Sequence, residues 1–190
     1  EESIDSMEEL YEKSQILKKK LDDMALEMRR AEELDWQKRQ ELGDALKNQK
    51  ELEQQMQELT DKLEEMIQHM EKNDLVSTET LKKYHELQQL VQEIMNPELE
   101  EAMRNIAEAM QNLDPELVKK AMEELKMTQE EFIQRLDRSI ALLKKLKVEQ
   151  QLDQAIKMAQ ELAKRQEQVQ KDLASEKPKL AENAITQEKI

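Results

Sequence analysis

Residues 52–70 read LEQQMQELTDKLEEMIQHM, and within them Leu52, Met56, Leu59, Leu63, Met66 and Met70 follow one another at alternating steps of four and three. An α-helix turns once in about 3.6 residues, so these steps place all six side chains along one face. The same register reaches back through Ala45 and Leu42 to Ala31, Met28, Met24, Leu21, Leu17, Leu10 and Met7. A heptad pattern held over about nine repeats marks a helix that buries a narrow seam against another helix. Ser14, Asp35, Lys38 and Gln49 interrupt the seam. Gly43 weakens its middle by about 1 kcal/mol relative to alanine. The pattern still predicts one helix through the region, roughly 95 Å from Met7 to Met70 at about 1.5 Å per residue.

Outward from this seam the chain carries helix punctuation and little else. Glu71-Lys72-Asn73-Asp74 offers a place to turn, and Ser77 or Thr78 suits an N-cap. A second helix then presents Leu81, Tyr84, Leu87, Val91 and Ile94 on one side. Two similar tetrapeptides follow, Asn96-Pro97-Glu98-Leu99 and Asp114-Pro115-Glu116-Leu117. In each, Asn or Asp can accept from a free backbone N–H, proline at the first helical position sacrifices no bond, and glutamate suits the positive end of the helix dipole. Ala102-Met103 and Ala121-Met122 continue the likeness as a short, imperfect repeat. From Pro115 to about Ser175 nothing breaks the helix, and two apolar stripes share it. Phe132, Leu136, Ile140, Leu143 and Leu146 form the first; Leu152, Ala155, Ala159, Leu162, Val169 and Leu173 form the second. They differ in phase, with a slip near Lys147–Gln151 of the kind that marks a change of partner. Pro178 is expected to end the pattern and leave a frayed tail.

The composition agrees with an all-α chain. Charged residues make up 39% of the 190 residues, against about 25% in ordinary domains, and aromatics only 2%. One glycine and three prolines leave no hairpin chemistry for a sheet, while Glu, Lys, Gln, Leu, Met and Ala all favour helix. The expected divisions are a long heptad helix over 1–74, two short helices over 75–113, a second long helix over 114–176 and a frayed tail over 177–190. The economical fold is an antiparallel coiled-coil hairpin, residues 3–73 folding back along 115–175, with the short helices forming a small bundle at one end. Leu21 would then lie near Leu162, and Met66 near Ile133 or Leu136. A parallel dimer through the first helix is the competing arrangement.

Charge and chemistry exclude more than they identify. The net charge is −14. Residues 1–74 carry 22 acids against 12 bases, and the remainder 22 against 18, so the surface repels a phosphate backbone and nucleic acid is not an expected partner. Lys18-Lys19-Lys20 and Lys144-Lys145 read as solvated helix faces. The absence of cysteine removes disulfides and thiolate metal sites. No apolar run approaches the roughly 18–20 residues that span a bilayer, so direct membrane insertion is not expected of this segment. The chain opens on Glu1-Glu2 without an initiator methionine, as a piece of a longer protein would.

His85-Glu86 begins like a zinc-protease helix, but Gln89 stands where the second histidine is needed. Glu65 and His69 make only a pair, and a catalytic zinc takes three protein ligands. Neither an EF-hand loop nor a glycine-rich phosphate cradle is present. The expectation is no cofactor, no metal and no catalysis. The twelve methionines read mainly as seam filling, although a flexible thioether face can also grip varied partners. Trp36, on a helix almost without aromatics, is either a local packing anchor or a binding hot spot. Trp36 and Tyr84 are the candidate partner contacts.

The run Tyr84-His85-Glu86-Leu87-Gln88 through Asn96-Pro97-Glu98-Leu99, with Asp114-Pro115-Glu116-Leu117, resembles a bacterial family of large, membrane-anchored helical envelope proteins of uncharacterised function. Glu149-Gln150-Gln151-Leu152-Asp153 and Leu162-Ala163-Lys164-Arg165-Gln166-Glu167 are similar in kind, so the resemblance covers about residues 77–170. It implies an anchor upstream of Glu1 and a periplasmic location, and it transfers no active-site residues. The functional expectation is a structural or interaction module, a spacer or scaffold that works through protein partners or self-association. The rival is a chaperone-like or adaptor module that grips clients with its helical tip, and it requires an exposed apolar patch on residues 77–112.

Overall fold

The computed structural model describes the backbone of residues 2–30, 35–95, 97–112 and 114–187, and within these the side chains of 3–29 and of 35 onward to 173. Among the described residues every regular element is an α-helix: α1 (Glu2–Arg30), α2 (Trp36–Lys72), α3 (Thr78–Ile94), α4 (Pro97–Gln111) and α5 (Pro115–Gln187). The expected all-α class is what the chain adopts.

The long heptad stretch is not one rod. Asp35 stands in extended conformation as the N-cap of α2, where the Lys38 N–H donates to its Oδ1 at 2.8 Å and the Arg39 N–H donates to its carbonyl at 3.2 Å. The lapse in the seam that the sequence shows around Asp35 is therefore a helix start. Ala31, the seam position just before this start, lies outside the described residues. The chain then doubles back, and Lys13 Nζ of α1 donates to Gln55 Oε1 of α2 at 3.1 Å. Ser6 faces the level of Lys62 and Lys20 that of Asn48, so the two helices run antiparallel. Gly43 breaks nothing and sits inside α2.

The remaining helices close a four-sided bundle. Ion pairs set α1 antiparallel to α5: Asp22 with Lys126 at 3.0 Å, Arg29 with Glu123 at 2.8 Å and Lys18 with Glu130 at 3.5 Å. On its other flank α5 meets α3, through Lys83–Glu149 at 3.0 Å, and α4, through Asn105 Nδ2 donating to Glu124 Oε2 at 3.3 Å. Helices α3 and α4 follow one another in the same direction along α5, and both also pack on α2. Among the described residues the Cα atoms of α2 and α5 nowhere come within 8 Å of each other, nor do those of α1 and α3 or α4. The result is an up-down-up-down bundle in which α3 and α4 together serve as the third stave.

This corrects the expected pairings. Leu21 lies at the level of Lys126 rather than Leu162, as its neighbour Asp22 fixes. Met66 belongs to α2, the helix diagonal to α5, and does not face Ile133 or Leu136. The short helices line α5 instead of capping a tip. The physical reason is burial: two long helices hide one stripe each, whereas four staves hide a face wide enough for more apolar residues. In α2, Ile67 and Thr60 are buried along with the heptad positions Leu52, Met56, Leu59, Leu63 and Met70, while Met66 is only half-buried. The caps behave as the sequence predicts. Ser77 Oγ accepts from the Thr80 N–H at 3.1 Å, and Asp114 Oδ1 accepts from the N–H groups of Glu116 and Leu117. Asn96, the other expected cap, lies outside the described residues, and Pro97 opens α4. Pro178 does not end α5, which continues to Gln187. The missing proline N–H removes one backbone bond there, and the surrounding Lys, Ala and Glu are strong helix formers.

Candidate interaction surface

α5 has 73 residues, about 110 Å at roughly 1.5 Å each, and the bundle uses little more than its first half. One series of its buried positions runs Val118, Met122, Leu125, Gln129, Phe132, Leu136, Ser139, Leu143 and Leu146, at steps of four and three, with Ala121, Ile133 and Ile140 buried beside it. Gln150, Asp153 and Lys157 continue that series, and each is half-buried. Beyond Lys157, every side chain described, through Leu173, is exposed. The helix leaves the bundle and projects.

A polar collar holds the point of exit. The Ser77 N–H donates to Asp153 Oδ2 at 2.8 Å, Tyr84 Oη donates to Gln150 Oε1 at 3.2 Å, and Lys83 Nζ donates to both oxygens of Glu149 at 3.0 Å. Lys157 Nζ reaches Asp74, donating to its carbonyl and pairing with its carboxylate. Asp74, in the turn between α2 and α3, has a positive φ of 48°, which Asp tolerates better than most residues. Burial alone would raise the Asp153 pKa; the Ser77 N–H, the Thr80 and Ser77 hydroxyls and Lys157 outweigh it and hold the carboxyl below its ordinary value. The carboxylate thus sits at the N-terminus of α3, where the helix dipole favours it. Hydrogen bonding to Glu149 raises Lys83 above the ordinary lysine value.

The two candidate partner contacts part company. Tyr84 is 1% exposed and belongs to the core between α2, α3 and α5, so it offers no surface to a partner. Trp36, the first residue of α2, is 71% exposed. The surface that the residue-by-residue reading missed as a site is the second stripe of α5. Val148, Leu152, Leu162, Val169 and Leu173 all stand more than half exposed. Ile156 and Met158 are also exposed beside them. The phase slip near Lys147–Gln151 was the available signal.

Elsewhere the large exposed apolar residues, Ile16, Leu26, Leu117 and Met127 besides Trp36, stand singly and form no comparable stripe. Between 77 and 112, Leu87, Val91, Ile94, Leu99, Ala102, Ile106 and Ala109 are buried and only Leu90 stands open among the large ones. The clefts between helices are open grooves, such as that lined by Lys13, Ile16, Leu17 and Lys20 on α1 and by Asn48, Glu51, Leu52 and Gln55 on α2. Among the described residues no three His, Asp or Glu side chains gather as a metal ion would need, and no helix is long and apolar enough to cross a membrane. His69 and His85 are both exposed. No protein-family model, curated protein or solved structure matches the chain.

Proposed function

We propose that the chain is a structural connector: a helical bundle that anchors one end of a long helix and presents the rest of it as an arm for protein–protein contact. One observation carries this. A single uninterrupted helix, α5, serves as a stave of the bundle and then continues beyond it, with its exit fixed by Asp153, Gln150, Glu149 and Lys157. A flexible linker would let its two ends wander; a helix continuous with a packed bundle fixes the direction as well as the length. The burial of the apolar side chains of residues 77–112 speaks against a client-gripping tip there. The setting in a bacterial envelope protein rests on the resemblance of residues 77–170 and goes with the proposal on that footing.

The chain has no cysteine, so a pair can be introduced cleanly for labelling. Donor and acceptor dyes on Lys120→Cys and Lys171→Cys are expected to lie roughly 75–80 Å apart, from 51 residues of helix at about 1.5 Å each. Energy transfer corresponding to less than about 50 Å would mean that the arm folds back on the bundle, and the connector reading would fall.

A further inference from the structure

We infer that the outer face of the α5 arm is a self-association seam whose occupant is the same face of a second copy of this chain. The inference shares with the connector reading the premise that the arm projects, and goes beyond it by naming the partner.

The seam is defined by register. Val148, Leu152, Ala155, Ala159, Leu162, Val169 and Leu173 keep steps of four and three if Gln166 is counted among them. That is more than three heptads along about 38 Å of helix. The series buried in the bundle passes through Leu146, Gln150, Asp153 and Lys157, and the exposed series trails it by two residues throughout. Two residues turn a helix by about 200°, so the exposed seam lies on the side of α5 that faces away from the bundle. A second helix can therefore lie along it at the usual 8–10 Å (about one helix diameter) without meeting α1, α3 or α4 of its own molecule. When two copies pair in this way, each bundle lies behind its own arm and neither obstructs the other.

Charge permits self-pairing here and opposes it elsewhere. Residues 148–173 carry five acids and four bases, so almost none of the net −14 resides on them. Five of the eight positions flanking the seam are uncharged, Gln151, Ile156, Met158, Ala163 and Gln170; the charged ones are Glu149, Arg165 and Asp172. Of the ions on the arm, Arg165 pairs with Glu161 and Lys171 with Glu167 along the helix, while Glu149 and Lys157 are paired with Lys83 and Asp74. Like-charge repulsion between two copies is thus small along this face, and two identical seams match in length and spacing by construction. Gln166, the polar member, brings both a donor and an acceptor, as the polar layer of a paired helix requires. In scale, specific interfaces bury about 800 Å² per partner, and seven apolar side chains spread along this length, with Ile156 and Met158 at their edges, supply a strip of that order.

The test is the mass of the full chain by sedimentation equilibrium over roughly a hundredfold range of concentration. The expected result is a reversible approach to twice the chain mass of 22.5 kDa. Leu162→Glu combined with Val169→Glu should weaken that association by about a hundredfold or more. Gln154→Glu with Gln160→Glu, which adds the same charge off the seam, should leave it within a few-fold. Both pairs alter exposed side chains, so helix content by circular dichroism is expected to hold in each. A monomer at every concentration overturns the inference, as does a dimer indifferent to the seam pair. So does a monomer that binds neutral phospholipid vesicles through the seam. A monomer whose labelled sites remain far apart would overturn this inference and leave the connector standing.

Discussion

At the scale of the residue, burial changes what ordinary side chains do. The Tyr84 phenol is shut inside the bundle, and desolvation, with the Glu149 carboxylate beside it, raises its pKa from 10.0 to about 12. A raised folded-state value means that the folded chain holds the proton more tightly than the unfolded one. The resulting stability is therefore complete below pH 10 and drains away as pH climbs toward 12, by about 2–3 kcal/mol in all. In a Tyr11→Phe background, tyrosinate absorbance should report this delayed ionisation, and denaturant titrations should show stability falling over the same window. Tyr84→Phe should abolish that slope and cost about 0.5–1.5 kcal/mol at neutral pH through the lost bond to Gln150. An unshifted titration near 10 would show that the phenol reaches water. The sequence marks Tyr84 on the apolar face of its helix, yet also offers it as a partner contact. Periodicity tells which side of a helix a residue occupies, and not whether that side meets its own chain or another. Trp36 reverses the case: nothing in its spacing said that a helix would begin at it and leave it open.

At the scale of the element, helices were legible because their ends are chemical. Ser77, Pro97, Asp114 and Pro115 announce α3, α4 and α5 in residue types that satisfy or dispense with free N–H groups. The start of α2 was harder, because Asp35 followed by Trp36-Gln37-Lys38 also reads as a polar gap in a continuing seam. The heptad register even resumes in phase beyond it, which hides the reversal. Gly43 invites the opposite error: it looks like a weak point and lies well inside a helix. A methyl group added there meets no atom within 4 Å. Gly43→Ala should therefore stabilise the bundle by about 0.5–1 kcal/mol, through the narrower unfolded ensemble and better helix propensity. The gain should appear in chemical denaturation with the slope of the transition unchanged. A loss of stability would mean that the backbone at Gly43 needs glycine's freedom.

At the scale of the whole molecule, the pairing of helices was the part that composition and spacing left open. An apolar stripe demands a cover without specifying which stripe supplies it, and salt bridges such as Asp22–Lys126 become visible only once the register is set. The resulting division of α5 predicts independence. A chain ending after Lys157 keeps the collar and every buried side chain, so its thermal transition should match that of the full chain, compared at concentrations where both are monomeric. A truncation before Leu143 instead strips Leu143 and Leu146 from the core and should unfold the bundle at a much lower temperature. Equal destabilisation by both truncations would mean that the arm supports the fold it leaves. The collar and the antiparallel staves also have a mechanical meaning. A pull on the far end of α5 acts along the helix axis, so it loads the contacts with α1, α3 and α4 together, in shear. They cannot then be peeled apart one at a time, and the bundle can bear tension transmitted through its arm.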